Sequence, residues 1–450
     1  MQQLVIRALI ILIGVLVFPT LPSAARPQPM PQLSTHADDY QAHHVLIQLA
    51  PGHAPTELGR TLTPLFADWY QVPVQAPETA DQLVQQLAQH PAVQHAERDV
   101  LLHTFQSPPL PNATPNDPFY PFQWNLFAIG APEVWTRSIG QGVIVAVLDT
   151  GISLGPDLAC HTLVAPFDAT TNTPGLTFSE DKNGHGTHVS GTVAQCTDNA
   201  RSVAGVAFGT QLMPVKVCAD NGSCPLAAIA SGIIWATDNG ARVINMSLGA
   251  SCVGVGTGIW PNCSSAIVND AINHAVAADV VLVAASGNGN GITGDPLVGF
   301  PANHPEVLGV GATDRFNMRA GYSNFGEALQ IVAPGGDTSS NISNDEFGDG
   351  IVQETLSRAC GFALDEAAYR LCAFQGTSMA SPHVAGAVAL LRAAYPEASR
   401  TQIHTALLRT AQDLGEPGLD PLYGYGLLQI PAALSYLDQQ QFIYLPLLGS

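Results

Sequence analysis

Charged residues are scarce in this 450-residue chain: Asp, Glu, Lys and Arg make up 12% of it, about half the share of an average soluble protein. The shortage falls on the basic side, with 16 Lys and Arg against 36 Asp and Glu and a net charge of −20. Neither a phosphate-binding surface nor a polybasic patch can be built from so few cations. Nucleic acid and anionic membranes are therefore excluded as main partners. There is no Cys-x-x-Cys pair and no Cys/His finger spacing, which argues against a structural metal held by thiolates. No internal repeat occurs.

What is present is a chain 46% hydrophobic, too apolar for wholesale disorder and long enough for two or three domains. Arg7 precedes an apolar stretch over residues 8–18, followed by Pro19 and Ser23-Ala24-Ala25. Those are the marks of a secretory signal over residues 1–25. The stretch is short of the roughly 20 residues a transmembrane helix needs, and no later segment is long and apolar enough to span. We expect a secreted, extracellular protein whose mature form has no transmembrane span. The eight cysteines fit that compartment as disulfides. Sequence alone does not fix connectivity, but Cys218 with Cys224, Cys252 with Cys263 and Cys360 with Cys372 are attractive short-range pairs, leaving Cys160 for Cys196.

Four segments follow the signal. Residues 36–105 form a small unit with a strand-like run at Val45-Leu46-Ile47-Gln48-Leu49, a helical stretch over 79–89 and a second strand-like run at Val100-Leu101-Leu102. Residues 106–115 are Pro- and Asn-rich and read as a linker. From 116 to 437, uninterrupted apolar runs at 143–148, 243–244 and 280–285 alternate with candidate helices at 185–196, 225–237, 265–277 and 378–394. Runs of that kind suit strands buried on both faces of a parallel sheet, so the segment is an α/β domain. In such sheets the active groups gather at the carboxyl ends of the strands. Residues 438–450 are an apolar tail whose default is docking on the domain.

Four side chains in this segment carry chemistry. Asp149 ends a buried strand in Leu148-Asp149-Thr150-Gly151; alone, a cap or turn explains it as well as catalysis does. His185 lies in Asn183-Gly184-His185-Gly186-Thr187-His188, where glycines let backbone approach closely at a helix start. His185 and His188 are i, i+3 neighbours, but no accompanying glutamate supports zinc. Ser378, in Gly376-Thr377-Ser378-Met379-Ala380-Ser381-Pro382-His383, puts a hydroxyl at a helix N-terminus beside free N–H donors; alone, it is an N-cap serine. Asn288, in Ala285-Ser286-Gly287-Asn288-Gly289, is on its own a turn residue. Together, an acid, a base, a hydroxyl and an amide donor meet the needs of acyl transfer. An aspartic protease is the rival suggested by Asp149-Thr150-Gly151, but it needs two such motifs sharing a proton.

In the order Asp149…His185…Ser378, and in all three local motifs, the chain resembles the subtilisin-like serine proteases (subtilases, peptidase S8 family) from about residue 116 to 434. The resemblance implies a parallel twisted sheet with helices on both faces, preceded by a small α+β, ferredoxin-like prodomain of the inhibitor I9 type. It implies a serine endopeptidase with Asp149, His185 and Ser378 as the triad, and Asn288 as the oxyanion amide. Ser247, Leu248 and Gly249 match the edge that pairs with extended substrate. Ala285, Ser286, Gly287 and Gly299 match the primary pocket, whose small residues leave room for a large apolar P1 side chain. No acid is evident there that would demand Arg or Lys.

The family often binds structural calcium. Asp157 and Asn199 match ligand positions, with Asp117 a weaker candidate, and hard oxygen donors suit Ca2+; no organic cofactor is expected. Expected partners are peptide and protein substrates and the chain's own propeptide as an intramolecular inhibitor, with self-cleavage after Phe105 and a monomeric enzyme. A catalytically silent, peptide-binding relative is the alternative, against which all four residues stand. The leader holds seven of the fourteen histidines: His36, His43, His44, His53, His90, His95 and His103. Solvated surface is the favoured explanation, and a pH-dependent release the bolder one. Charge divides as +2 for residues 1–35, −6 for 36–107 and −16 for the remainder. The acidity thus belongs to both the leader and the enzyme.

Overall fold

The computed structural model describes residues 44–65, 67–75, 78–98, 114–177, 179–253, 263–340, 347–360 and 369–443. They divide into two compact units, with the boundary between Gln106 and Ser107.

In the first unit, β1 (His44–Leu49) turns Val45, Ile47 and Leu49 inward by the period-two alternation of a half-buried strand. It is followed by β2 (Thr63–Pro64), β3 (Trp69–Pro73), α1 (Ala80–Ala88) and β4 (Val93–Arg98). The sheet is antiparallel, in the order β2-β3-β1-β4. Leu83 and Leu87 of α1 close its small core. The expected helix is present: the Thr79 hydroxyl accepts from Gln82 N at 3.3 Å and the Gln82 side chain returns the bond, a capping box. The strand expected at 100–102 lies outside the described residues. The last described strand is β4, whose sequence Val-Gln-His-Ala-Glu-Arg is too polar to show as an apolar run. A ferredoxin-like unit interleaves two helices with its strands; among the described residues this one has α1 and a single 3-10 turn at Pro55–Leu58. His53 and His95 lie exposed beside Glu57 and Glu97.

The second unit opens with two short helices, α2 (Trp124–Ala128) and α3 (Ala131–Val134). The sheet then begins with β5 (Ile144–Asp149), β6 (Phe167–Asp168) and β7 (Thr173–Pro174). After α4 (His185–Ala194) come β8 (Gln211–Lys216), α5 (Leu226–Asp238), β9 (Val243–Met246), α6 (Ala266–Ala277) and β10 (Val281–Ala285). Two further strands, β11 (Val307–Thr313) and β12 (Ile331–Pro334), precede a hairpin, β13 (Ile351–Leu356) and β14 (Tyr369–Phe374). The last elements among the described residues are α7 (Thr377–Ala394), α8 (Arg400–Arg409) and α9 (Ile430–Ile443). The eight-stranded sheet runs β12-β11-β10-β9-β5-β8-β6-β7, parallel throughout except for β7.

The apolar runs are continuous because both faces of the sheet are covered. Val145 and Val147 of β5 join the core with α4 and α7, while Ala146 and Leu148 join the core with α5 and α6. The four candidate helices lie within two residues of their expected bounds. The β13–β14 hairpin escaped the sequence because its strands carry Gln, Glu, Thr and Arg among their apolar residues. β10, β9 and β5 are consecutive and parallel, so Ala285, Met246 and Asp149 end side by side at one edge. Helix α9 runs past Leu437 to Ile443, and Asp438 on it pairs with Arg137 at 2.6 Å. Among the described residues no helix is long and apolar enough to cross a membrane.

All eight cysteines are paired, as Cys160–Cys196, Cys218–Cys224, Cys252–Cys263 and Cys360–Cys372. The first spans 36 residues and the second 6. Loop-closure entropy then assigns about 4 kcal/mol to Cys160–Cys196 and about 2 kcal/mol to Cys218–Cys224. Replacing each pair by alanines should lower the urea midpoint more for the first, and the reverse order would contradict this account.

Candidate active site

Asp149 ends β5 almost fully buried. Its Oδ1 accepts the Thr150 N–H and the His185 Nδ1–H, both at 2.7 Å. The approach requires glycine next to the histidine: a Cβ at Gly186 would lie 2.2 Å from the Gly151 carbonyl oxygen and 3.1 Å from Asp149 Cβ. His185 is the first residue of α4, and its side chain keeps 31% of its surface exposed. Burial draws its pKa down, but the charge and hydrogen bond of Asp149, with Asp181 adding, outweigh burial and leave it raised. Nδ1 carries the proton toward Asp149, so Nε2 is the nitrogen left for chemistry.

Asp181 is a residue beside the candidate site that the sequence reading missed. It is buried and accepts five hydrogen bonds: Oδ1 from Thr150 Oγ1, Asn183 N and Gly184 N at 2.8–2.9 Å, Oδ2 from Thr187 N and Oγ1 at 2.9 and 2.6 Å. It therefore fastens the start of α4, with its unpaired N–H groups, to the residue beside Asp149. An acid four residues before a helical histidine is an N-terminal signal that could have revealed it.

Ser378 is the second residue of α7. Its hydroxyl donates to the Ser247 carbonyl at 3.1 Å, and Ser247 Oγ returns a bond to the Ser378 carbonyl at 2.8 Å. Among the described residues it makes no hydrogen bond to His185. Behind it, Ser381 Oγ donates to Asn245 Oδ1 at 2.7 Å and Asn245 Nδ2 to Ser247 Oγ at 3.0 Å, tying α7 to the end of β9. Asn288 points its Oδ1 at the Thr377 N–H and hydroxyl, each 2.9 Å away. The backbone N–H can only donate, so this fixes the amide's orientation and leaves Nδ2 as the outward donor.

Asp149, His185, Asn288 and Ser378 line one groove of about 400 Å3. Ser247, Leu248 and Gly249, which follow β9 outside any strand, line it as well, as do Ala285, Gly287 and Gly299. Ser286 is buried, its hydroxyl on the Asn324 carbonyl at 3.2 Å. Groove residues to which the sequence reading gave no site role include Asn183, Ala250, Ser251, Asn324 and the Cys218–Cys224 loop. That loop is braced by Lys216 Nζ on Asp220 Oδ1 and by Asn183 Nδ2 on the Asp220 carbonyl, both at 2.8 Å.

Two further histidines stay out of the chemistry. His188 donates Nε2–H toward the carbonyls of Ile351 and Cys372 at 3.0 and 3.1 Å, and burial pulls its pKa down to about 3. It shares no ligand position with His185. His383 bridges Met379 O and Asn125 Nδ2, and burial lowers it to about 4.

The three calcium candidates come together around Asn199. Its Nδ2 donates to Asp157 Oδ1 at 2.7 Å, while its backbone N–H points at Asp117 Oδ1 at 3.4 Å. Asp117 Oδ2 accepts from Asp198 N at 2.7 Å. Burial pushes the Asp157 carboxyl up to about 7, against the Asn199 hydrogen bond and with Glu354 adding its charge. A buried acid so disfavoured as an anion, among oxygen-bearing neighbours, suits a hard cation. Asn199 would have to turn its amide oxygen inward.

The subtilase family model matches residues 140–426. An alkaline protease of Alkalihalobacillus alcalophilus is 35% identical over 371 residues, covering 82% of this chain and 81% of that protein. Subtilisin Savinase of Lederbergia lenta is 37% identical over 311 residues, 69% of this chain and 97% of the relative. Among solved structures, a protease from Pseudoalteromonas arctica PAMC 21717 superposes with a TM-score of 0.61 at 31% identity, covering 72% of this chain and 99% of its own.

Asp181→Asn should lower kcat/KM for peptide hydrolysis roughly ten- to a hundredfold, because an amide cannot accept at every oxygen and α4 loses its register against Asp149. The charge of Asp181 raises the His185 pKa, so its removal should move the acid limb of the pH–kcat/KM profile to lower pH. A slower enzyme with an unshifted limb would reduce Asp181 to scaffolding.

Proposed function

This chain belongs to the subtilase family of serine proteases, and on that premise we propose that Asp149, His185 and Ser378 are its catalytic triad. The observation carrying this is the 2.7 Å bond from His185 to a buried carboxylate, in a groove that Ser378 and Asn288 also line. Ser378 Oγ turns from the Ser247 carbonyl to His185 Nε2, gives up its proton and attacks the scissile carbonyl. Asp149 holds the Nδ1–H tautomer and stabilises the imidazolium. Asn288 Nδ2 and the Ser378 N–H take the oxyanion, and the imidazolium protonates the leaving amine. Water, activated by the same imidazole, then cleaves the acyl-enzyme.

Substrate adds as a strand along Ser247-Leu248-Gly249 and sets a large apolar P1 side chain between Ala285, Gly287 and Gly299. The protein is secreted, and it is made as a zymogen in which residues 36–105 serve as the inhibitory propeptide. The proposed self-cleavage site, Phe105, lies outside the described residues.

A serine-directed phosphonofluoridate should label the wild type and leave Ser378→Ala unlabelled. Ser378→Ala should also lose about a millionfold in kcat and keep its leader attached. A wild type that resists labelling would leave the silent, peptide-binding alternative.

Calcium at Asp157, Asp117 and Asn199 would be structural. The folded-state pKa of Asp157 is raised, so its ionisation removes stability as pH rises from its ordinary value of about 4 toward 7. Ca2+ bound to the anion should reverse that loss. Adding Ca2+ after chelation should therefore raise Tm at about pH 8, less so below about pH 6, and not in Asp157→Asn. A Tm indifferent to chelation would remove calcium from the account.

A further inference from the structure

Among the described residues, one disulfide borders the groove. Cys218 and Cys224 line it together with His185 and Ser378, and they close a loop across 6 residues. Cys218 is 2% exposed, whereas Cys224 is half-buried. Of the two sulfurs, that of Cys224 is therefore the one open to a solute entering the groove. Both ends of the loop are fixed independently of the sulfur–sulfur bond. The Cys218 N–H donates to the Asp149 carbonyl at 3.0 Å, and Cys224 is followed by Pro225, the N-cap of α5. Across the loop, the Ala219 N–H donates to the Ser223 carbonyl at 2.9 Å and the Gly222 N–H to the Ala219 carbonyl at 2.8 Å. Lys216 and Asn183 hold Asp220 from outside. Peptide hydrolysis by the triad gives neither sulfur a task.

We propose that Cys224 is a thiol-exchange site through which low-molecular-weight thiols reversibly close the groove. The inference rests on the protease reading above and adds a control to the same site. The thiolate of the incoming molecule attacks Cys224 Sγ, the bond to Cys218 breaks, and Cys218 leaves as a thiolate that takes up the proton. One thiol is consumed, one is formed and one disulfide replaces another, so the exchange needs no further oxidant or reductant. The substituent then hangs from Cys224 in a groove of about 400 Å3, where it occupies space that substrate needs. Cys218 is buried and tied to the end of β5, so its thiol stays beside the mixed disulfide and expels the substituent once free thiol is removed. The backbone bonds across the loop keep the partners together meanwhile, and the modification is a reversible cap. Because those anchors survive the exchange, the bulk of the substituent sets the degree of block.

The test treats the matured protein with glutathione, a tripeptide thiol, or with 2-mercaptoethanol, at equal adduct occupancy read by intact mass. Glutathione should lower kcat/KM for a tetrapeptide anilide about tenfold and 2-mercaptoethanol less than about threefold. Activity should return when free thiol is removed. Peptide mapping should place the substituent on Cys224, and a peptide aldehyde bound in the groove should slow its attachment. A variant with both Cys218→Ala and Cys224→Ala should keep its own rate, whatever that is, in either thiol. If that variant does not fold, the map and the protection decide, and attachment unaffected by the aldehyde overturns the proposal. So do adducts confined to the other cysteines, or unaltered hydrolysis at full occupancy of Cys224. Equal inhibition by the two thiols overturns it as well, since the effect then comes from the opened loop and not from the adduct. An untreated protein that cleaves no peptide overturns the protease reading itself, and exchange at Cys224 is still read from the map.

Discussion

The groove at the carboxyl edge of the sheet depends on pairing one buried carboxylate with one imidazole. Asp149 sits at the end of a strand with apolar residues on both faces, where an unpaired anion costs several kcal/mol. His185 compensates it with a charge-assisted bond. That bond exists because α4 begins within reach of β5, and Asp181 is what ties the two together. Each further placement follows from the parallel order β10-β9-β5. Parallel neighbours end together, so Ala285, Met246 and Asp149 finish side by side, and only Ser378, the proposed nucleophile, must be brought in from elsewhere.

A protein with few charges has spent several of them inside. Asp149, Asp157, Asp181 and Asp349 are all nearly or fully buried, and each has a different compensation. Asp149 has an imidazole, Asp181 five donors and Asp349 the Arg315 guanidinium at 3.1 Å. Asp157 has no cation among the described ion pairs and is the one pushed toward neutrality. The low charge content is thus consistent with acids placed for particular bonds more than with a solvated shell.

Much of the architecture was legible because the features concerned are local. Val143 to Leu148 and Val280 to Ala285 show as uninterrupted apolar runs, since both sheet faces are buried, the first leading into Asp149 and the second into the turn that holds Asn288. Helix starts at His185 and Ser378 were marked by glycine and small residues. What escaped depends on contacts between distant segments. Asp181 has no meaning until its five donors converge. In the hairpin, β13 is buried against α4 rather than by an apolar pattern of its own, while β14 stays largely half-exposed. In the first unit, β4 is held by backbone pairing with β1, which composition does not record.

Helix α7 has one more consequence. Every residue from Met379 to Arg392 is buried, and the helix packs across β9, β10, β11 and β12. Ser378, the proposed nucleophile, is therefore mounted on the part of the molecule least able to fray by itself, because opening that helix means dismantling both layers around it. Loss of the working serine and exposure of the chain to digestion become one event with one barrier. For an enzyme surrounded by active copies of itself, endurance is then set by how slowly the whole domain opens, and the molecules still folded remain fully armed.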